Sequence, residues 1–185
     1  MKIALLTIFS LLSVYGFSQT STPLFKKGTK LKYDIVTNEG TLPLTVSVDS
    51  LSPSFIKYKW TAPNIGSGTW LVKEKSLESA NSGRWSQLEP DAEVTLPDDQ
   101  SVGMLSKAQW KSIQQDKKLM LDMVNYTLKK LIEPSKLNNK EVDALYLESD
   151  NASSKIWILN NSTYPAILKL SGNSAGPDIE LKNVE

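Results

Sequence analysis

The chain of 185 residues has no cysteine and no histidine. Their absence excludes a Ser-His-Asp triad, a Cys-His pair and every zinc site built on nitrogen or sulfur ligands. It also removes the side chain most often used as a general base, so the chain is expected not to be an enzyme. With no disulfide to staple the fold, stability has to come from a buried core. Phosphate-cradling motifs are missing as well: there is no Gly-Lys-Ser or Gly-Lys-Thr in Walker form, and no G-x-G-x-x-G opening a helix. Neither sign of charge is in excess, with 21 Lys and Arg against 20 Asp and Glu. A nucleic-acid binder needs a basic excess or stripe to meet phosphates, so that class is set aside. No apolar run reaches the length of a membrane span, and there is no internal repeat or low-complexity segment.

What is present begins with Lys2, followed by the apolar run Ile3 to Leu12 and then "SVYGFSQT". A charged start, a short apolar middle and small residues at the end are the layout of a secretory signal. Gly16 and Ser18 suit the small pockets of a signal peptidase, so the expected cut falls after Ser18 and the mature chain starts at Gln19. Residues 1–18 are read as a signal peptide and 19–185 as a single β-rich domain, long enough to bury a sizeable core. Lys2 is the one charged residue removed, which leaves 20 of each sign. The Ser-Gln ending resembles the leaders of Gram-negative bacterial exported proteins, which implies a periplasmic or secreted destination. No cysteine follows the apolar run, so no lipoprotein anchor is expected, and no other segment is long enough to give the mature chain a transmembrane one.

Strand patterns dominate the first half. Leu31, Tyr33 and Ile35 alternate with Lys32 and Asp34, and after the turn "NEG" the same period returns at Leu42, Leu44, Val46 and Val48. Pro43 places the start of that second strand at an edge. "FIKYKW" puts Ile56, Tyr58 and Trp60 on one face, and "TWLVKEK" reads as a returning strand with Trp70 and Val72 on one face. Between them lies "WTAPNIGSGTW", a hairpin loop in which Gly66 and Gly68 are free to take positive φ. Trp60 and Trp70 are expected to face each other across this ladder, either as a cross-strand pair or as a platform for a sugar or another flat ligand.

The acidic stretch "QLEPDAEVTLPDDQ" offers carboxylates to calcium, but its spacing does not match an EF-hand loop. Ser106 is an N-cap candidate for a helix over "KAQWKSIQQDKK", with Gln109 or Ala108 and Ile113 on its apolar stripe. Segment 119–133 fits either state: Leu119, Leu121 and Met123 alternate, while Leu121, Val124, Leu128 and Leu131 would line a helical face. A strand starting at Leu119 is the preferred reading. Beyond it "EVDALYLES", "KIWIL", "YPAILKL" and "DIELKNV", separated by turn residues, predict an antiparallel meander.

A leader, N-terminal antiparallel strands, a central helix and a meander containing "KIWILNNSTYPAILKLSG" resemble, in that order, the periplasmic lipoprotein carriers of the LolA type. The resemblance implies an incompletely closed, curved sheet around helices, with an apolar cavity for acyl chains lined by Ile56, Tyr58, Trp60 and Ile156 or Trp157. Together these readings predict an α+β, mainly β fold: a curved antiparallel sheet, open or half-barrel, with one amphipathic helix packed on it. The expected role is non-catalytic binding of a lipid, another apolar or amphipathic small molecule, or an envelope protein, without cofactor or metal. Trp60, Trp70, Tyr58 and Trp157 are the candidate ligand-binding residues. The alternatives are a structural or adhesive envelope component and a glycoside hydrolase built on two carboxylates.

Overall fold

A computed structural model describes residues 25–85, 87–174 and 176–185. The expected signal segment, with its cut between Ser18 and Gln19, lies outside the described residues. The alternating N-terminal segments form β1 (Lys30–Thr37), β2 (Gly40–Ser52), β3 (Phe55–Ala62) and β4 (Gly66–Lys73), and their buried side chains fall at alternate positions, such as Leu44, Val46 and Val48 of β2 or Trp70 and Val72 of β4. Pro43 pairs with Asp34 of β1, while pairing to β3 starts only at Thr45, so the proline has no ladder on its other side.

"TWLVKEK" does not stay extended to its end. Strand β4 stops at Lys73, and α1 (Glu74–Ser79) follows, burying Ser76 and Leu77. Two helices therefore stand where one was expected; six residues are too few to show a helical period in sequence. Then come the short β5 (Ser82–Gly83), β6 (Glu93–Thr95) and β7 (Gln100–Ser101), and α2 (Lys107–Asp116). Ser106 caps α2 as its sequence predicts: its Oγ accepts from Gln109 N–H while the Gln109 side chain accepts from Ser106 N–H, a reciprocal capping box. Gln109 and Ile113 are its buried residues, and its neighbours are β8 and α1.

The ambiguous segment is a hairpin, β8 (Lys118–Leu121) and β9 (Val124–Lys129). Asp122 and Met123 between them have φ of 51° and 63°, and two successive left-handed residues turn the chain back on itself instead of propagating a helix. A second, small hairpin, β10 (Ser135–Leu137) and β11 (Lys140–Val142), precedes the meander β12 (Ala144–Ser149), β13 (Lys155–Leu159), β14 (Ile167–Ser171) and β15 (Asp178–Val184).

Eleven strands join in one sheet, ordered β6-β4-β3-β2-β1-β15-β14-β13-β12-β9-β8. It consists of an N-terminal and a C-terminal meander, sealed together because the first strand, β1, pairs with the last, β15. The sheet is mostly antiparallel, β6 against β4 being parallel, and it is not closed into a barrel. On its inner face Leu147, Ile156, Leu170, Ile179 and Ile35 are successive partners across five strands, all at most 1% exposed. The excursion between β4 and β8 is tied to this region by Met104, bridged to Ala166, and by Leu105 N–H, which donates to Pro165 O.

Candidate functional site

Three of the four aromatic candidates belong to the core. Tyr58, Trp60 and Trp70 are each 0% exposed and present no ring face to a ligand. The expected face-to-face register of the two tryptophans is corrected by the ladder: Tyr58 stands opposite Trp70, and Trp60 stands opposite Gly68. The indoles still meet on the diagonal, with centroids 5.7 Å apart and planes 31° apart. Alternation alone puts Trp60 and Trp70 on one face but leaves the register to loop length, and here the pairing closes Ala62 on Gly66. The Nε1 atoms of Trp60 and Trp70 are buried without a hydrogen-bond partner, while the Tyr58 hydroxyl lies 3.2 Å from that of Tyr164.

Trp157 is placed differently. Its neighbours in sequence, Ile156 and Ile158, point inward, so Trp157 points to the outer face, where it is half-buried. Tyr146, Trp157, Lys169 and Glu180 are successive partners across β12, β13, β14 and β15, and form a row on that face. The Tyr146 and Trp157 rings lie 4.9 Å apart at 35°, and the Lys169 ammonium sits 5.8 Å from the Trp157 ring centroid. This row is the floor of a cleft of ≈ 640 Å³. A bulge opposite Trp157 and Ile158 inserts Leu168 into the lining.

The other wall is the connection between β9 and β12. These two strands are neighbours, yet the chain between them makes a detour as a strap, residues 130–143, whose β10 reaches across to β15. Leu131, Ile132, Glu133, Pro134 and Lys136 of the strap line the cleft, and Ile132 is 90% exposed at its mouth. The strap is pinned at the turn of its hairpin: the Asn138 side chain donates to Val184 O at 2.7 Å and accepts from Val184 N–H at 3.0 Å. Leu137 and Val142 anchor it further, both buried.

The charges of the row are arranged in pairs. Lys182, which donates to Glu180 at 2.9 Å, and then Lys169 at 3.5 Å hold the Glu180 carboxyl below its ordinary range. The Tyr146 hydroxyl donates to Glu148, and burial together with that carboxylate pushes its pKa up to about 12. At neutral pH the floor therefore offers a neutral phenol, an ammonium and a carboxylate.

The acidic loop holds its carboxylates apart. Glu89 pairs with Arg84 at 2.6 Å, Glu93 with Lys57 at 2.7 Å and Asp98 with Lys75 at 2.8 Å. Among the described residues no group of three or more acidic side chains could hold a metal. No helix among them is long and apolar enough to cross a membrane.

Sequence reasoning reached Trp157 but missed Tyr146, Lys169 and Glu180. A signal existed: "YLE", "IWI" and "LKL" each place a residue out of phase with the apolar face of its strand. What no pattern shows is that β9 and β12 pair, which turns residues 130–143 into a wall. The sequence matches no protein-family model, and comparison with curated proteins and with solved structures finds no significant match.

Proposed function

We propose that this chain is an exported, non-catalytic binding protein that holds an apolar or amphipathic ligand in the cleft between the strap and the outer face of β12 to β15. The observation that carries this reading is the cleft itself, ≈ 640 Å³ with Tyr146 and Trp157 as its floor. Ligand sites of a few hundred Å³ with an aromatic floor and a few placed polar groups are the common form of small-molecule sites. The leader layout from Lys2 to Gln19 supports export to the periplasm or exterior, and the element order resembling LolA-type carriers supports a carrier's role.

Glu133 and Glu180 both line the cleft, which favours a carboxylate-pair hydrolase as the second reading. The lysines that hold the Glu180 pKa down exclude it from the role of general acid and leave it that of base or nucleophile.

Native mass spectrometry of the exported protein, purified without detergent, tests the proposal. An adduct that is lost on denaturation and absent from a folded Trp157→Ala variant supports it. An adduct that persists in that variant, or a protein that takes up no probe with an apolar face, whether lipid, detergent or sugar, removes it.

A further inference from the structure

The class of ligand can be narrowed from the lining of the cleft. Resting on the reading of the cleft as the binding site, we infer that its ligand is a short stretch of neutral saccharide, stacked on half-buried Trp157, which buried Tyr146 backs, and hydrogen-bonded at its edge by Lys169 and Glu180.

The floor is the first argument. The two rings are direct partners in the β12–β13 ladder, 4.9 Å apart, and a strand pair fixes both without the entropy cost of ordering a loop. A ring face accepts the C–H face of a sugar as it accepts other weakly polar surface, and leaves the sugar hydroxyls free at the rim.

Charge is the second. The charged side chains of the lining are Lys136 and Lys169 against Glu133 and Glu180, two of each sign. An anionic head group calls for a surplus of cations and a cationic one for a surplus of carboxylates. Hydroxyl groups need donors and acceptors side by side, and Lys169 Nζ and Glu180 Oε2, 3.5 Å apart, provide one of each.

Interior space is the third. An acyl chain is best received in an enclosed apolar cavity, but the inner side of the sheet is filled by core side chains, with Tyr58, Trp60 and Trp70 all 0% exposed. The apolar cavity bounded by Phe25, Leu137 and Tyr164 measures ≈ 10 Å³, no more than a single water requires. The cleft on the outer face is open and roomy by comparison, and it lies beside hydrogen-bonding groups.

The test is nitrogen–proton NMR of the Trp indole groups of the purified chain, with the Trp157 signal assigned by its loss in Trp157→Phe. Neutral trimers of glucose, galactose, mannose and N-acetylglucosamine are titrated in turn, beside a galacturonic acid trimer and dodecylphosphocholine below its micelle concentration. At least one neutral trimer should shift the Trp157 signal saturably and leave Trp60 and Trp70 unmoved. Glu180→Gln, which leaves the core untouched, should weaken that binding by about three- to tenfold, since a charge-assisted hydrogen bond becomes a neutral one. Tighter binding of the acidic trimer than of any neutral one overturns the neutral class. A Trp157 shift with dodecylphosphocholine and with no saccharide overturns the saccharide and leaves the cleft reading standing. No shift with any probe overturns both.

Discussion

Trp60 covers Gly68: the two are direct partners across the β3–β4 ladder, and a Cβ built on Gly68 would come within 2.7 Å of Trp60 Cζ2 and 2.8 Å of Glu89 O. The glycine is there for close approach, because the indole and a backbone carbonyl fill the space that any side chain would take. An aromatic ring lying across a strand glycine also shields backbone that would otherwise be open to water. Gly68→Ala should cost about 1 to 3 kcal/mol, the range for forcing volume into a packed site. A denaturant midpoint unchanged from the parent chain would show that the loop carrying Glu89 gives way freely.

The two kinds of tryptophan should respond differently to truncation. Trp60→Ala empties a fully buried site and should cost about 3 to 5 kcal/mol, a large part of the total stability of a typical domain. Trp157→Ala, at a half-buried position on the outer face, should cost under about 2 kcal/mol and leave a folded chain. Urea unfolding followed by circular dichroism checks both. An equal loss from the two variants would mean that Trp157 is as much a core residue as Trp60.

Alkaline stability should follow the buried phenols. Burial raises the pKa of Tyr33, Tyr58, Tyr126 and Tyr164, and that of Tyr146 reaches about 12. A group whose folded pKa lies above its unfolded value contributes stability fully below the unfolded pKa, here 10.0, and loses it as pH rises through the folded one. The folded chain should therefore hold its denaturant midpoint up to about pH 9 and lose stability steeply above 10. Near-ultraviolet absorbance should show phenolate appearing later in the folded chain than in urea. Coincident titrations would contradict the burial of these hydroxyls.

At the β8–β9 turn the prediction runs the other way. Burial raises the Asp122 pKa although its Oδ1 accepts from Gly83 N–H at 2.9 Å, so its charge is held at a cost at neutral pH. That cost fades as pH falls through the raised pKa. Asp122→Asn keeps the acceptor, removes the charge and suits φ of 51°, which asparagine tolerates well. A gain of about 0.5 to 1 kcal/mol at neutral pH is expected, shrinking in acid. Thermal melts at two pH values decide it, and a loss at both would show that the carboxylate itself is needed.

The strap should loosen without Asn138. Asn138→Ala removes both hydrogen bonds to the Val184 backbone and places alanine at φ of 53°. Two neutral hydrogen bonds and a left-handed alanine together should weaken the strap by about 2 to 3 kcal/mol. Amides of β10 and β11 should then exchange faster while those of β1 to β3 stay protected. Uniform acceleration across the sheet would mean that the strap opens only with the whole fold.

How far the sequence reached can be judged element by element. The period of two at Leu31 to Ile35 and at Ile56 to Trp60 named the strands and their buried faces, because burial of one face is a local property of alternation. Ser106 marked the helix start because an N-cap is a local signal, while the reciprocal bond that Gln109 returns to it came only with the structure. Helix α1 went unread because six residues carry too little pattern. Segment 119–133 stayed open because its apolar positions satisfied both periods, and the positive φ at Asp122 and Met123, neither of them glycine, left no mark in the sequence.

By itself, then, the sequence determined the mainly β class, the inward-facing residues and the chemistries that a chain without histidine or cysteine cannot perform. Only the tertiary structure decided that β1 seals against β15, that Trp60 and Trp70 are core and that Trp157 joins Tyr146, Lys169 and Glu180 as the floor of a cleft walled by the strap. The reason is one of range. A residue's face is set by its immediate neighbours along the chain, whereas register and strand order depend on pairings between segments far apart in sequence, and a cleft exists only once those pairings are made.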